Sequence, residues 1–163
     1  MKTFLKMLFV SFLLISLSGC GTSTDESSAK SVDVNSLYQN ISQINQAGEA
    51  RAIDDFSIEN DFGLSLEDID EYAGSISNNM KDPALTLIIQ AKEGKGNAVK
   101  SALETYKQNQ IVYYGNYPEF SEALSKVKDG RIYQSGDLII MLFSSINLSD
   151  YGEIDKLISE LVK

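Results

Sequence analysis

The stretch ALTLIIQA, residues 84–91, constrains the fold more than any other feature of this sequence. It is nearly all apolar and rich in β-forming residues, which is typical of a strand in the middle of a sheet. A weaker alternation within EYAGSIS, residues 71–77, predicts an edge strand beside it, carried by Tyr72, Gly74 and Ile76. The residues NNMKDP between the two runs are typical of a turn.

A second pair of strands is predicted near the end of the chain. RIYQS, residues 131–135, and LIIMLFSS, residues 138–145, flank Gly136 and Asp137, which are typical of a hairpin turn. Strands that are close in sequence pair antiparallel. We therefore expect one antiparallel sheet of about four strands.

Apolar residues at helical spacing predict four helices around this sheet. The first covers about 33–46, a long one covers roughly 97–114, a third ends at Gly130, and the last is capped by Asp150. The order α-β-β-α-α-β-β-α makes residues 32–163 a single α+β domain. We expect the helices to cover one face of the sheet and to leave the other face open for docking.

The segment between the first helix and the first strand, roughly 47–71, is predicted to be irregular and acidic. Eight carboxylates and no basic side chain lie between Asp54 and Glu71. Their spacing does not meet the calcium-loop pattern D-x-[DN]-x-[DN]-G. A solvated loop of repelling charges is therefore favoured, and a cation site is the alternative.

The N-terminal segment has the order of a secretory signal peptide. Lys2 and Lys6 precede an apolar run, 7–15, which is broken only by Ser11 and is followed by small residues. The alternative is a membrane-spanning helix, which needs about 20 apolar residues, more than this run supplies. We therefore expect residues 1–19 to be removed.

The end of that segment points to a lipid anchor. Leu17, Ser18, Gly19 and Cys20 resemble the lipobox of bacterial lipoproteins, a leucine and two small residues before a cysteine. The resemblance implies a diacylglyceryl group on the Cys20 thiol and a signal peptidase that recognises Leu17, Ser18 and Gly19 and cuts before Cys20. Two acyl chains anchor a protein stably, whereas one gives only marginal binding.

Composition restricts the partners of the anchored chain. The net charge is −9, and residues 1–19 hold two lysines and no acidic residue, so the mature chain is more acidic still. Nucleic acid is excluded as a partner because its binding needs a basic surface. Residues 20–31 are small and polar, which predicts a flexible tether. We expect the chain to contact membrane lipid through Cys20, on the extracytoplasmic face of the cell membrane.

The pattern of strands, helices and turn residues over roughly 32–160 resembles a family of bacterial lipoproteins. The likeness rests on GLSLEDIDEYAGSIS, the apolar strand after it, AKEGKGNAVKSALETYKQNQ, YYGNYPEF and SGDLIIMLFS. That family is common in Gram-positive bacteria and is catalogued only as a domain of unknown function. The resemblance implies a secreted, lipid-anchored α+β domain and brings no catalytic residues with it.

The sequence offers little to a catalytic mechanism. It contains no histidine, the usual general base near neutral pH, and no G-x-S-x-G motif. Its one thiol is the expected lipidation site, and a lone cysteine can form neither an internal disulfide nor a metal site. The glycines of EGKGN, residues 93–97, lack phosphate-loop spacing and predict a strand-to-helix turn. We expect no enzyme activity, no metal and no cofactor.

Five aromatic residues lie between positions 106 and 120. Tyr106, Tyr113 and Tyr117 share a helical stripe with apolar residues, which predicts that they are buried. Tyr114 lies off that stripe and is the expected exposed ring. Core packing is favoured for the group as a whole, while Tyr114 and Tyr117 are the candidates for stacking on a sugar or a peptide.

Two functions follow from these expectations. The first is a non-catalytic protein-interaction module, anchored in the membrane, whose partner is another envelope protein. The second is a ligand-binding lipoprotein that captures a small molecule or a cell-wall fragment. A deep pocket would favour the second function, and a flat apolar surface would favour the first.

Overall fold

The computed structural model describes residues 32–161. Several predictions lie outside this part of the chain and stay predictions: the signal peptide 1–19, its recognition residues Leu17, Ser18 and Gly19, the lipidation site Cys20 and the tether 20–31. Within the described part, no helix has the length and the apolar character needed to cross a bilayer.

The described residues form five helices and five strands. The helices are α1 (Val34–Ile44), α2 (Asp55–Asn60), α3 (Gly96–Gly115), α4 (Ser121–Asp129) and α5 (Gly152–Leu161). The strands are β1 (Ala50–Ala52), β2 (Ile69–Ser77), β3 (Leu85–Ala91), β4 (Arg131–Ser135) and β5 (Leu138–Phe143). Short 3₁₀ turns precede β2 and α4, at Leu66–Asp68 and Pro118–Phe120. The α+β class is therefore confirmed.

The strands form one antiparallel sheet in the order β1-β2-β3-β5-β4. The apolar run that predicted a central strand is β3, which pairs with β2 on one side and β5 on the other. The edge position expected for β2 is wrong because β1 pairs along it, with Ala50 opposite Ser77 and Ala52 opposite Ser75.

The expected count of about four strands and the expected element order are also wrong. The additional elements, β1 and α2, lie in the segment 47–71 that the sequence predicted to be irregular. All three residues of β1 are exposed, and Ile58 is the single buried apolar residue of α2. Elements this short, with so few buried side chains, produce no apolar periodicity that a sequence pattern could reveal.

Apolar side chains cover both faces of the sheet. One face carries Leu87 and Met141 beneath α2, α3 and α4. The opposite face carries Ile88, Ile140 and Leu142 beneath α1 and α5. The prediction that one face stays open is therefore wrong. Neighbouring residues of a strand point to opposite faces of the sheet. A strand that is apolar at every position therefore needs apolar cover on both faces.

The two ends of the sheet differ in which loops they carry. The Gly136 end holds the β4–β5 turn, the end of β3 and the start of α3, and it is where the Ala91 amide donates to the Asp137 carbonyl at 2.8 Å. The Met80 end holds the β2–β3 loop, 78–84, and the segment after β5. The nine residues of β2 separate these ends by roughly 27 Å.

Helix α1 runs from the Gly136 end to the Met80 end. Near its start, the Asn35 side chain donates to the Glu71 carboxylate at 2.7 Å, and Glu71 lies at the beginning of β2. At its C-terminus, Asn45 donates from Nδ2 to the Phe143 carbonyl at 2.9 Å. The described chain therefore begins at the Gly136 end.

A buried polar cluster fixes the loops of the Met80 end. The Ser145 amide donates to Asn45 Oδ1 at 2.8 Å, and the Ser145 hydroxyl lies 3.2 Å from Asp82 Oδ2. The Ile146 amide also donates to Asp82, at 3.1 Å. Asp82 belongs to the β2–β3 loop, so these bonds tie that loop to α1 and to the segment after β5. Every buried side-chain nitrogen and oxygen in the described residues has a partner.

Candidate functional site

Four aromatic rings at the end of α3 and in the turn after it form a closed cluster. The ring centroids of Tyr113 lie 5.4 Å from Tyr114 and 5.5 Å from Tyr117. Those of Phe120 lie 5.9 Å from Tyr114 and 5.8 Å from Tyr117. Because each ring touches two others, Tyr114 and Phe120 support the two outer rings from below.

The exposure of these tyrosines reverses the expectation. Tyr114, the expected exposed ring, is buried at 8% exposure, whereas Tyr113 and Tyr117 are 38% and 43% exposed. The chain leaves α3 at Gly115 and turns back through Pro118, so that Phe120 and α4 cover the Tyr114 side of the helix. The helical period alone does not show which of the neighbouring residues Tyr113 and Tyr114 is buried.

Tyr106 lies in the core, as its position on the stripe predicted. It is 8% exposed, and its ring lies 4.5 Å from that of Phe62 and 6.2 Å from that of Phe143. Burial raises the pKa of Tyr106 and of Tyr114, and for Tyr114 the neighbouring Tyr113 and Asp82 add to the rise. Both phenols are therefore neutral at physiological pH and act as packing residues.

Met80 extends the exposed aromatic area across to the β2–β3 loop. It is 46% exposed, and its sulfur lies 3.9 Å from the Tyr113 hydroxyl. We call Met80, Tyr113 and Tyr117 the tyrosine surface. Sequence reasoning missed Met80, although a methionine among the polar turn residues of NNMKDP is the signal that could have identified it.

The chain segment that carries Tyr113 and Tyr117 has no charged side chain. Residues 108–118, QNQIVYYGNYP, contain no acidic or basic side chain, in a chain with 23 acidic and 14 basic residues. Val112, next to Tyr113, is 57% exposed. The tyrosine surface also lies at the Met80 end of the sheet, opposite the end at which the described chain begins.

The acidic segment is partly structured, and some of its carboxylates cap a helix or pair with a cation. Asp54 caps α2 by accepting from the Ser57 amide at 2.9 Å, and this hydrogen bond lowers the pKa of Asp54. Asp61 pairs with Arg51 at 3.2 Å, and Asp68 pairs with Lys95 at 2.8 Å. No group of three or more potential metal ligands occurs among residues 32–161. The expectation of an irregular loop of repelling charges is wrong because the segment contains β1 and α2, and because Arg51 within it and Lys95 before α3 each pair with one of its carboxylates.

The glycine turn before α3 is occupied by a side chain of the protein itself. The Asp137 carboxylate accepts from the Gly94 amide at 3.0 Å and from the Gly96 amide at 2.8 Å. An added Cβ on Gly96 would lie 2.6 Å from the Gly136 carbonyl oxygen. The turn therefore joins β3 to α3, as predicted, and Asp137 fills the position at which a helix N-terminus would receive an anion.

Two concave regions lie away from the tyrosine surface. A groove of about 320 Å³ between α5 and the β4–β5 hairpin is lined by Tyr133, Leu138, Ile140 and Ile158, together with polar residues. A polar depression of about 570 Å³ surrounds Asp137 at the start of α3. Neither has a histidine or a cysteine in its wall, and neither includes Tyr114 or Tyr117.

Comparison with known proteins gives a family and nothing closer. The model of a domain of unknown function, DUF4358, matches residues 43–144. This match includes all five strands together with α2, α3 and α4, and therefore the whole tyrosine surface. No curated protein and no solved structure matches the chain. Because the match covers more than half of the sequence, the chain belongs to the DUF4358 family of domains of unknown function.

Proposed function

We propose that this protein is a membrane-anchored, extracytoplasmic interaction module that binds an envelope protein through the tyrosine surface and performs no chemistry. The observation that carries the proposal is a pre-arranged, exposed pair of tyrosines, Tyr113 and Tyr117, in an uncharged stretch, with the Met80 thioether beside them. Tyr113 and Tyr117 are each more than one third exposed, while Tyr114 beneath them is buried.

The composition of the tyrosine surface supports a protein partner. The centres of protein interfaces are enriched in tyrosine and methionine and depleted of charged residues. Met80, Tyr113 and Tyr117 match the first property, and residues 108–118 match the second. The residues that contribute most to binding are also enriched in tyrosine and cluster in well-packed positions. The closed cluster with Tyr114 and Phe120 supplies such packing.

The position of the tyrosine surface fits an anchor at Cys20. A tether of about a dozen residues has a root-mean-square span of roughly 20 Å, and it would join the domain at the Gly136 end, where α1 begins. The tyrosine surface is at the other end of the sheet. Tyr113 and Tyr117 are therefore far from the residue at which the described part of the chain begins.

The experiment is chemical crosslinking of the full chain in the membranes of the cells that produce it, followed by mass spectrometry. We expect one recurrent protein partner, lost in the double variant Tyr113→Ser, Tyr117→Ser. The matched control is Phe56→Ser, which removes an aromatic ring that is 68% exposed on α2. Cys20→Ala tests the anchor, and we expect it to release the chain from the membrane fraction. A partner retained at the wild-type level by the double variant would reject the proposal.

A cell-wall fragment is a second candidate ligand, favoured by the amides beside the rings. Gln108, Asn109 and Asn116 are exposed, and neutral amides both donate to and accept from sugar hydroxyls. Titration of the full chain with soluble cell-wall glycan fragments, observed by NMR, tests this reading. Shifts confined to Tyr113, Tyr117 and these amides would favour a ligand-binding lipoprotein, and their absence would remove that candidate.

A further inference from the structure

A second binding site is formed where the outer edge of β4 meets the groove beside α5. We propose that this edge takes up an extended peptide, which pairs with β4 as a sixth strand and places an apolar side chain in the groove. This inference does not rest on the proposed function, because β4 and α5 contribute no residue to the tyrosine surface.

The first observation is the open edge of the sheet. β4 is the last strand in the order β1-β2-β3-β5-β4, and among residues 32–161 its backbone hydrogen bonds all go to β5. Ser135 and Leu138 flank the two-residue turn and pair with each other. Because inward and outward backbone groups alternate along an antiparallel strand, the N–H and C=O groups of Ile132 and Gln134 point away from β5.

The second observation is that β4 has few of the features that normally protect an edge. Proteins blunt exposed edges with lysine, proline or bulges, or by keeping them very short. The opposite edge, β1, has three residues. β4 has five residues, RIYQS, with no lysine or proline, and its one charged side chain, Arg131, is paired with Asp155 of α5.

The third observation is an apolar groove next to this edge. Its floor is made by Leu138 and Ile140 of β5, and its walls by Tyr133 of β4 and Ile158 of α5. A peptide strand beside β4 would direct alternate side chains toward this face of the sheet. The volume of about 320 Å³ is at the lower limit for a ligand pocket and suits one or two side chains.

The groove walls are held at a fixed distance by polar contacts between β4 and α5. Arg131 donates from an NH group to Asp155 Oδ1 at 2.6 Å, and the Tyr133 hydroxyl donates to the same carboxylate. The Arg131 guanidinium also lies 4.5 Å from the centre of the Tyr151 ring. Since a site that is already ordered pays less entropy on binding, these contacts favour capture of a flexible peptide.

Charge determines which extended chain fits best. A second copy of this protein carries the same net charge of −9, so pairing of two β4 edges brings two acidic molecules together. The negative net charge of the protein instead attracts a peptide in which basic residues flank an apolar one. Pairing through an edge strand takes affinity from the main chain and specificity from alternate side chains, and here the outward groups of β4 would supply the first and the groove the second.

The test uses a displayed library of random nonapeptides, selected on the full chain, and synthetic copies of the enriched sequences. We expect alternating peptides with an apolar centre and basic flanks. Ser159→Trp, an exposed residue of the groove wall, should reduce their affinity by about tenfold or more. Ser101→Trp, on the exposed side of α3, is the control and should leave affinity unchanged.

Hydrogen exchange then identifies the contact. Bound peptide should protect the amides of Ile132 and Gln134, and N-methylation of the peptide at its pairing positions should abolish binding. Enriched peptides whose affinity is unaffected by Ser159→Trp would overturn the proposal, as would a library without enrichment. A dimer in sedimentation that Ser159→Trp dissociates would assign the edge to a second copy and overturn the peptide. None of these results changes the crosslinking expected from Tyr113 and Tyr117.

Discussion

The Tyr113 hydroxyl lies 3.9 Å from the Met80 sulfur, and this contact joins the C-terminal part of α3 to the β2–β3 loop. The loop is fixed on its other side by Asp82, two residues further on, which accepts from Ser145 and Ile146. The tyrosine surface is therefore assembled from two segments that the fold itself immobilises. A surface that is ordered before binding loses less conformational entropy when a partner docks.

Tyr113→Ala and Tyr114→Ala should differ clearly in their effect on stability. Tyr114 is 8% exposed, and truncating a buried aromatic side chain costs about 3–5 kcal/mol. Tyr113 lies on the outer side of the ring cluster, so its loss should cost no more than about 1 kcal/mol. Urea denaturation measures both free energies of unfolding. Equal losses would contradict the assignment of Tyr114 as the buried member of the pair.

The buried amide of Asn45 should be a main stabiliser of the Met80 end. Asn45→Ala removes one donor to the Phe143 carbonyl and the acceptor of the Ser145 amide, two groups in a buried site. Since a buried polar group without a partner costs about 1–3 kcal/mol, we expect a loss of about 2–4 kcal/mol in urea denaturation. Asn40→Ala, on the exposed side of α1, is the control, with a change within about 0.5 kcal/mol. Equal free energies of unfolding for Asn45→Ala and Asn40→Ala would show that the buried polar cluster adds no stability.

The glycines at the two ends of α3 should respond in opposite directions to alanine. In Gly96→Ala the new Cβ would lie 2.6 Å from the Gly136 carbonyl oxygen, so we expect a loss of about 1–3 kcal/mol. In Gly115→Ala the Cβ meets no atom within 4 Å, and the better helix propensity of alanine should give about 0.5–1 kcal/mol of stabilisation. Thermal unfolding followed by circular dichroism compares the two, and a Gly96→Ala protein as stable as wild type would refute the close approach.

The contribution of Asp155 to stability should disappear in acid. Burial alone would raise the pKa of Asp155, but hydrogen bonds from Tyr133 and Arg131 outweigh it and hold that pKa below its ordinary value. A carboxylate whose pKa is lowered by folding stabilises the fold above its unfolded pKa of about 3.9, and this contribution is lost as the pH falls through the folded value.

Asp155→Asn tests this pH dependence of the Asp155 contribution to stability. The free energy of unfolding of the variant should fall short of wild type by the largest amount at neutral pH, and the gap should narrow as the pH is lowered from about 4 towards 2. Urea denaturation at a series of pH values measures it. A gap that stays constant over the whole range would mean that the carboxylate charge contributes nothing.

The elements with strong patterns were predictable from the sequence alone. The run at 84–91 is the central strand β3, and the turn at Gly136 joins β4 to β5. The first helix was predicted at 33–46 and is observed at Val34–Ile44, with its apolar stripe in the core. In each case the side chains that create the sequence pattern are the ones that the fold buries. The spacing of the apolar residues is therefore enough to predict the element.

The remaining features depend on contacts between distant segments. The bond between Asp82 and Ser145 joins residues 63 positions apart, and no local pattern predicts it. The choice between Tyr113 and Tyr114 is made by Phe120, which folds back after the helix has ended. The second covered face of the sheet follows from the apolar run itself, because a strand that is apolar on both sides needs cover on both.

Site-specific photo-crosslinking from position 117 shows whether the tyrosine surface contacts a protein partner. A photoreactive phenylalanine replaces Tyr117 in the full chain, in the membranes of the producing cells, and replaces Phe56 of α2 in the control. We expect one recurrent protein adduct from position 117 that is absent from position 56 and is lost when Tyr113→Ser is added. The same adducts from both positions, or none from position 117, would contradict a role of the tyrosine surface in binding a partner.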